Sequence, residues 1–352
     1  MNTINKFGRQ TGLVGLLQAV LALTLLTSGC KTASPVASRE PVNKNASPEV
    51  RALLSYLYQI SGHNILAGQH NQPGIKPDAS AMSEKAEEIT GKYPAIWGCD
   101  FGFKANGLDG INNRPGIVAE AIRQYHNGSI INLMWHSVSP LDNEPGEWKQ
   151  NVWHKLTEAE WNELITPGTP LNQHWLAQLD VVAGYLEQLR DAHVPVLWRP
   201  FHEMNGNWFW WGQKKGDKGI KALWQLEYER LANHHHLNNL IWVWSPNTPD
   251  GGAKGFLADY YPGPGYVDVL GLDVYTSFKQ EYYNELLTLA AGKPIALGEV
   301  GTLPSPAVLD SQPRWVWFLE WNSRLIKGNK PEQVKALYDD PRTLTRDEAK
   351  WN

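Results

Sequence analysis

Eight short, strongly apolar runs recur along the chain with amphipathic stretches between them, and this rhythm restricts the fold more than any other feature. The runs are Ile65–Gln69, Ala95–Gly98, Ile130–Trp135, Val194–Trp198, Leu240–Trp244, Val267–Leu270, Ile295–Gly298 and Trp315–Leu319. Most are apolar enough for strands buried on both faces. Leu176–Arg190 and Leu223–Asn233 are among the helical stretches between them, and Ser47–Ser61 places Val50, Leu53, Leu54, Leu57 and Tyr58 on one face ahead of the first run. Eight β units with helical crossovers predict a single-domain α/β fold, a (β/α)8 TIM barrel. Barrel enzymes carry their chemistry at the carboxyl ends of the strands. Gln69 and His70 end the first run, Asp100 the second and His136 the third; His202 and Glu203 lie just past the fourth, and Asn247 past the fifth. Asp273 and Tyr275 lie past the sixth and Glu299 past the seventh, while Trp317 stands on the eighth. A doubly wound sheet would gather such residues at one switch point instead.

The barrel is expected over residues 49–352, with a different kind of sequence in front of it. In residues 1–30, Lys6 and Arg9 precede an apolar core, Leu13–Leu26, that is short for a bilayer span. Thr27-Ser28-Gly29-Cys30 ends this segment and resembles a bacterial lipoprotein lipobox, which implies acylation of Cys30 and a membrane anchor. Thr27 stands where leucine is commonest, so cleavage to a secreted form is the alternative. Lys31 follows the cysteine, and the resemblance then points to the outer membrane. Residues 31–48 are rich in Ala, Ser, Pro and Asn and read as a flexible tether. The net charge of -4 and pI near 6.3 exclude a polyelectrolyte partner such as nucleic acid. Beyond Cys30 the only thiol is Cys99, which cannot form an internal disulfide and is expected as a buried filler. The run His234–His236 has no spaced carboxylate partner and reads as a solvated helix end, not a metal site.

The densest chemistry lies in Trp198–Gly212, WRPFHEMNGNWFWWG. Arg199, His202, Glu203 and Asn205 are rarely placed together inside a core. Burial raises a carboxyl pKa and neighbouring cations lower it, so Glu203 is a candidate working acid. Indole faces suit the flat C–H surface of a sugar ring, and 17 tryptophans in the chain favour carbohydrate as the ligand. The second carboxylate candidate is Glu299, at the end of an apolar strand with Gly298 and Gly301 on either side, where glycines leave room for a ligand to approach the backbone. Glycoside hydrolysis needs two carboxyl groups of unlike ionisation, and Glu203 and Glu299 fit that division. Their separation, which decides between retention and inversion, is not written in the sequence.

Trp198–Gly212 resembles the signature of glycoside hydrolase family 26, best known for β-mannanases. Further matches are Gly68-Gln69-His70, Met134-Trp135-His136, Trp242–Asn247, Gly271–Tyr275, Gly298-Glu299 and Tyr338–Pro341, so the resemblance spans the chain from about Ser47 onward. It implies a retaining barrel enzyme with Glu203 as acid/base and Glu299 as nucleophile. It further implies that His202 and Tyr275 hold the sugar at the cleavage point, that His136 touches the same region, and that Trp208 lines the leaving-group side. Trp148 or Trp153 is expected as a further sugar platform, as is Trp317 by alternation along its strand. His70, Arg199 and Asn247 complete the expected substrate contacts. The expected substrates are mannan, galactomannan or manno-oligosaccharides, taken by a monomer with no metal or organic cofactor. Mixed-linkage β-1,3-1,4-glucan or β-1,3-xylan remain alternative substrates within the family, and a non-catalytic surface glycan-binding lipoprotein is the alternative outside it.

Overall fold

The computed structural model describes residues 39–72, 79–253 and 255–351. The expected signal segment with Cys30, and the first part of the expected tether, lie outside the described residues. Eight parallel strands form a closed barrel: β1 (Ile65–His70), β2 (Ile96–Asp100), β3 (Ile130–Trp135), β4 (Val196–Pro200), β5 (Leu240–Trp244), β6 (Val269–Val274), β7 (Ile295–Val300) and β8 (Trp315–Glu320). Each strand pairs with the next, and β8 returns to pair with β1 through Leu66↔Trp317 and Gln69↔Glu320, so no edge is left open in the ring. Every residue in these strands is buried, as continuous apolar runs covered by helices require. The expected runs locate all eight strands; β4 starts two residues later than expected and β6 extends to Val274.

Helix α1 (Pro48–Ile60) closes the amino-terminal mouth of the barrel. Ser47 caps it, accepting from the Val50 amide at 3.3 Å, and Pro48 occupies the first turn, where a missing N–H costs nothing. Its buried face, with Val50, Leu53, Leu54 and Leu57, joins one apolar cluster with the inward side chains Leu66, Ile96, Ile130, Leu197, Ile241, Val269 and Ala296. A second, larger cluster lies between the strands and the outer helices, and Cys99 is buried in it as expected.

Two expectations are corrected here. The tether does not run to residue 48: Pro41 and Asn43 are already buried. The Val42 amide donates to Asp268 Oδ1 at 2.8 Å, Asn43 Nδ2 to the Leu237 carbonyl at 3.1 Å, and the Ser47 amide to the Asn238 carbonyl at 2.8 Å. Polar composition concealed this strap, because its attachment is by hydrogen bonds rather than an apolar stripe. In the His234–His236 run, His235 is not solvated but lies between Asp180 Oδ1 at 2.8 Å and Glu187 Oε1 at 3.1 Å, tying its turn to the preceding long helix, Pro170–Asp191.

Because α1 is the floor of the inner core, Leu57→Ala should lower stability by about 2–5 kcal/mol, read as a fall in Tm, while the carboxyl-end chemistry is unaltered. An unchanged Tm would show that α1 is not part of the cooperative core.

Candidate active site

Glu203 enters the barrel mouth through an unusual turn. Directly after β4, Phe201 and Glu203 both adopt left-handed backbone, with φ of 46° and 53°. The Glu203 amide donates to the Ser245 carbonyl at 2.7 Å, and the Gly206 amide closes back on the Glu203 carbonyl at 2.8 Å. The side chain then accepts from Trp208 Nε1 at 2.6 Å and from Asn247 Nδ2. Burial and then the charge of Glu299 push its pKa up to about 8, against the pull of those two N–H donors and Arg199.

Glu299, on β7, has a contrasting environment. Arg199 donates to its Oε1 at 2.5 Å and the Tyr275 hydroxyl to its Oε2 at 2.5 Å, while His202 Nε2 lies 3.7 Å from Oε1. The other arm of Arg199 reaches Asp273 Oδ2 at 3.2 Å, and burial, opposed by Arg199, holds the Asp273 carboxyl well above its ordinary value. Ser245 Oγ donates to Asp273. The glycines beside Glu299 serve these neighbours and not an approaching ligand. A Cβ at Gly298 would lie 2.2 Å from Ser245 Oγ and 2.6 Å from Asp273 Oδ1, and one at Gly301 would lie 2.6 Å from the Tyr275 ring. One carboxyl oxygen each from Glu203, Asp273 and Glu299 lie within 4.8 Å of one another. Arg199 supplies positive charge to this cluster, so the three acids do not need a metal ion to coexist.

The remaining walls are aromatic and imidazole. Asp100 accepts from the His136 amide at 3.2 Å and pairs with its Nδ1, which leaves Nε2 as the free ring nitrogen. His136 and His202 meet edge-on with centroids 4.2 Å apart. Burial, followed by His136 and Arg199, holds His202 far below its ordinary pKa, so it is neutral. A cleft of about 450 Å³ is lined by Glu203, Glu299, His136, His202, Tyr275 and Asn247 together with Trp148, Trp153 and Trp208, as expected. Phe209, Gly251, Trp321 and Arg324 also line it.

Three expected contacts are corrected. Trp317 does not face the cleft but packs in the inner core, fully buried. β8 slips register against β7 between Trp315 and Glu320, so parity along the strand does not tell which residue emerges. Trp321, one position past the strand end, takes the cleft wall in its place. His70 has no exposed surface and stacks on Trp321. Arg199 is also fully buried, beneath Glu299, and holds carboxylates rather than sugar. The signal for Trp321 was available: the position just beyond a barrel strand is where a cleft residue belongs.

Breaking a glycosidic bond takes one carboxyl group that keeps its proton and one that keeps its charge, close enough to act on one sugar. A closed parallel barrel that sets Glu203, its pKa raised, beside Glu299 at the strand ends has the arrangement of the (β/α)8 glycoside hydrolases. The description "Glycosyl hydrolase family 26" matches residues 42–348, and the chain belongs to that family. A mannan endo-1,4-beta-mannosidase of Thermothelomyces thermophilus is 35% identical over 318 residues, covering 87% of this chain and 62% of the relative. The chain thus spans about three-fifths of that relative's length. Among solved structures, GH26A from Muricauda sp. MAR_2010_75 aligns with a TM-score of 0.82 at 47% identity, covering 88% of this chain and 99% of the other. A beta-mannanase from a symbiotic protist of the termite Reticulitermes speratus, complexed with gluco-manno-oligosaccharide, aligns with a TM-score of 0.77 at 30% identity, covering 89% and 98%.

The causes of the Glu203 shift can be separated by carbon-13 NMR of labelled glutamate. The wild-type carboxyl should titrate near pH 8. Glu299→Gln removes a raising charge and should lower the midpoint, whereas Trp208→Phe removes a lowering donor and should raise it. A wild-type midpoint below 5 would contradict this electrostatic description.

Proposed function

We propose that the protein hydrolyses β-1,4-linked mannan by double displacement with net retention, Glu203 acting as acid/base and Glu299 as nucleophile. The observation that carries this reading is the pair's spacing. Oxygens within 4.8 Å leave no room for the water that an inverting pair holds between its base and the sugar. They agree with the roughly 5–5.5 Å of retaining pairs rather than the 6.5–9.5 Å of inverting ones.

In the first step the protonated Glu203 gives its proton to the glycosidic oxygen as a Glu299 oxygen attacks the anomeric carbon. The C–O bond to the leaving sugar breaks and an ester to Glu299 forms. In the second step Glu203, now a carboxylate, takes a proton from water as that water displaces Glu299, and both carboxyls return to their starting states. Arg199 and Tyr275 hold the two oxygens of Glu299 in place for the attack. Trp208, bonded to Glu203, lies on the leaving-group side, and His136, His202 and Tyr275 surround the sugar at the cleavage point. The mannan specificity is supported by the family relatives, a mannan endo-1,4-beta-mannosidase and a beta-mannanase among them.

Glu299→Ala should abolish turnover of mannohexaose with unchanged melting behaviour, and residual activity above about one-thousandth would exclude Glu299 as nucleophile. Proton donation also fixes the sign of the pH dependence: activity should fall as pH rises through about 8, where Glu203 loses its proton. Proton NMR of the first-formed product should show the β anomer. Mannan should be cleaved in preference to β-1,3-1,4-glucan and β-1,3-xylan.

We also propose that the enzyme is an outer-membrane lipoprotein anchored at Cys30, on the strength of the Thr27-Ser28-Gly29-Cys30 segment and Lys31. Among the described residues no helix is long and apolar enough to cross a membrane. Cys30→Ser should move the protein from the membrane fraction to the soluble one, and an unchanged distribution would refute the lipid anchor.

A further inference from the structure

We propose that the carboxyl end of β1 is the seat of the cleft indole Trp321, with the His70 ring as a flat backing plate and the Gln69 amide as a staple through the backbone on either side. The proposal rests on the reading of the cleft as a glycan site, and it makes His70 and Gln69 positioning residues that touch no substrate.

Trp321 lies just past β8, half-buried, on a stretch with no regular structure of its own. Its amide donates to the Val300 carbonyl at 3.0 Å. Gln69 Nε2 reaches both neighbouring peptides, the Glu320 carbonyl and the Asn322 carbonyl, each at 3.2 Å, besides the His70 carbonyl at 2.8 Å. The next residue, Asn322, turns the chain with a φ of 42° and donates to Gln72 Oε1 at 2.6 Å. The backbone of Trp321 is therefore fixed from β1 and β7 together.

The ring is fixed separately. His70 and Trp321 stack with centroids 4.1 Å apart and planes 15° from parallel. His70 is fully buried, and among the described residues neither ring nitrogen has a protein hydrogen-bond partner. Burial lowers its pKa to about 3, so the ring is neutral wherever the enzyme works. The contact that this neutral imidazole makes with Trp321 is through its flat face. Such a plate stops the indole from tilting away from the cleft, and a sugar stacked on Trp321 then meets a preorganised surface.

Steady-state kinetics on mannohexaose tests this with His70→Phe, His70→Ala, Trp321→Ala and the double alanine variant. An aromatic stack of this kind corresponds to about a three- to tenfold effect. His70→Ala should therefore raise KM by about that factor, with kcat changed less than about twofold. His70→Phe, which keeps the flat face and removes two unbonded nitrogens, should hold KM at the wild-type value and should not lower Tm. In the Trp321→Ala background, the His70 substitution should add nothing. If His70→Ala folds poorly, His70→Leu fills the volume without a flat face and should show the same rise in KM. A KM for His70→Phe as high as that for alanine would overturn the plate, and so would independent, multiplicative effects at His70 and Trp321. Loss of turnover in Glu299→Ala with unchanged mannohexaose KM in Trp321→Ala would sink this inference alone and leave the cleft reading intact.

Discussion

One guanidinium beneath the barrel mouth is the fixed positive charge around which three buried carboxyl groups gather. Arg199 is fully buried and permanently charged. Three carboxyl groups lie around this site. A desolvated interior carries an anion cheaply only where a cation faces it. The shorter arm of Arg199 goes to Glu299, at 2.5 Å, and the longer one to Asp273. Burial, against the pull of Arg199, drives both other acids toward their protonated forms: Asp273 well above its ordinary value and Glu203, raised further by the charge of Glu299, to about 8. Glu203 meets only neutral donors, Trp208 and Asn247. Two glutamates at one barrel mouth thus meet different partners: Arg199 and Tyr275 hold Glu299, while burial beside Glu299 keeps the proton on Glu203.

Holding Glu203 on the far side of that arginine strains the backbone. Two non-glycine residues of left-handed φ, Phe201 and Glu203, cost on the order of 1–3 kcal/mol each. The surroundings over-determine the turn. The Glu203 amide is held by Ser245, Trp211 Nε1 donates to the His202 carbonyl at 2.9 Å, and Trp210 Nε1 to the Ser137 carbonyl at 2.9 Å. The same indoles that make the motif conspicuous in the sequence are therefore its scaffolding.

That point marks the limit of what composition conveyed. Tryptophan abundance suggested a sugar cleft, yet twelve of the indoles are fully buried core side chains, and only Trp148, Trp153, Trp208 and Trp321 line the cleft. The barrel was legible because strands buried on both faces leave long apolar runs, and Glu203 and Glu299 were legible because each follows such a run. Arg199 was misjudged as a sugar contact because sequence does not distinguish an arginine facing substrate from one facing a carboxylate below it. Trp317 is expected in the cleft, and Trp321 is missed, because alternation presumes a regular strand, and β8 is irregular against β7. The strap at Pro41–Ser47 was missed because hydrogen bonds to the Asp268 carboxylate and the Leu237 and Asn238 carbonyls leave no periodic trace.

The imidazoles show why the arginine must be the only cation beneath the nucleophile. His202 Nε2 lies 3.7 Å from the Glu299 oxygen that Arg199 already holds. A charged ring there would add a second cation to the same oxygen and withdraw electron density from the attacking atom. Burial prevents it, aided by His136 and Arg199. The neighbouring His70 is neutral for the same reasons, despite the opposing pull of Asp100. Neutral rings can hydrogen-bond hydroxyls from either nitrogen without altering the charge balance. The cleft can therefore present polar side chains to a sugar next to the reacting carboxyls, while the difference between Glu203 and Glu299 continues to depend on Arg199.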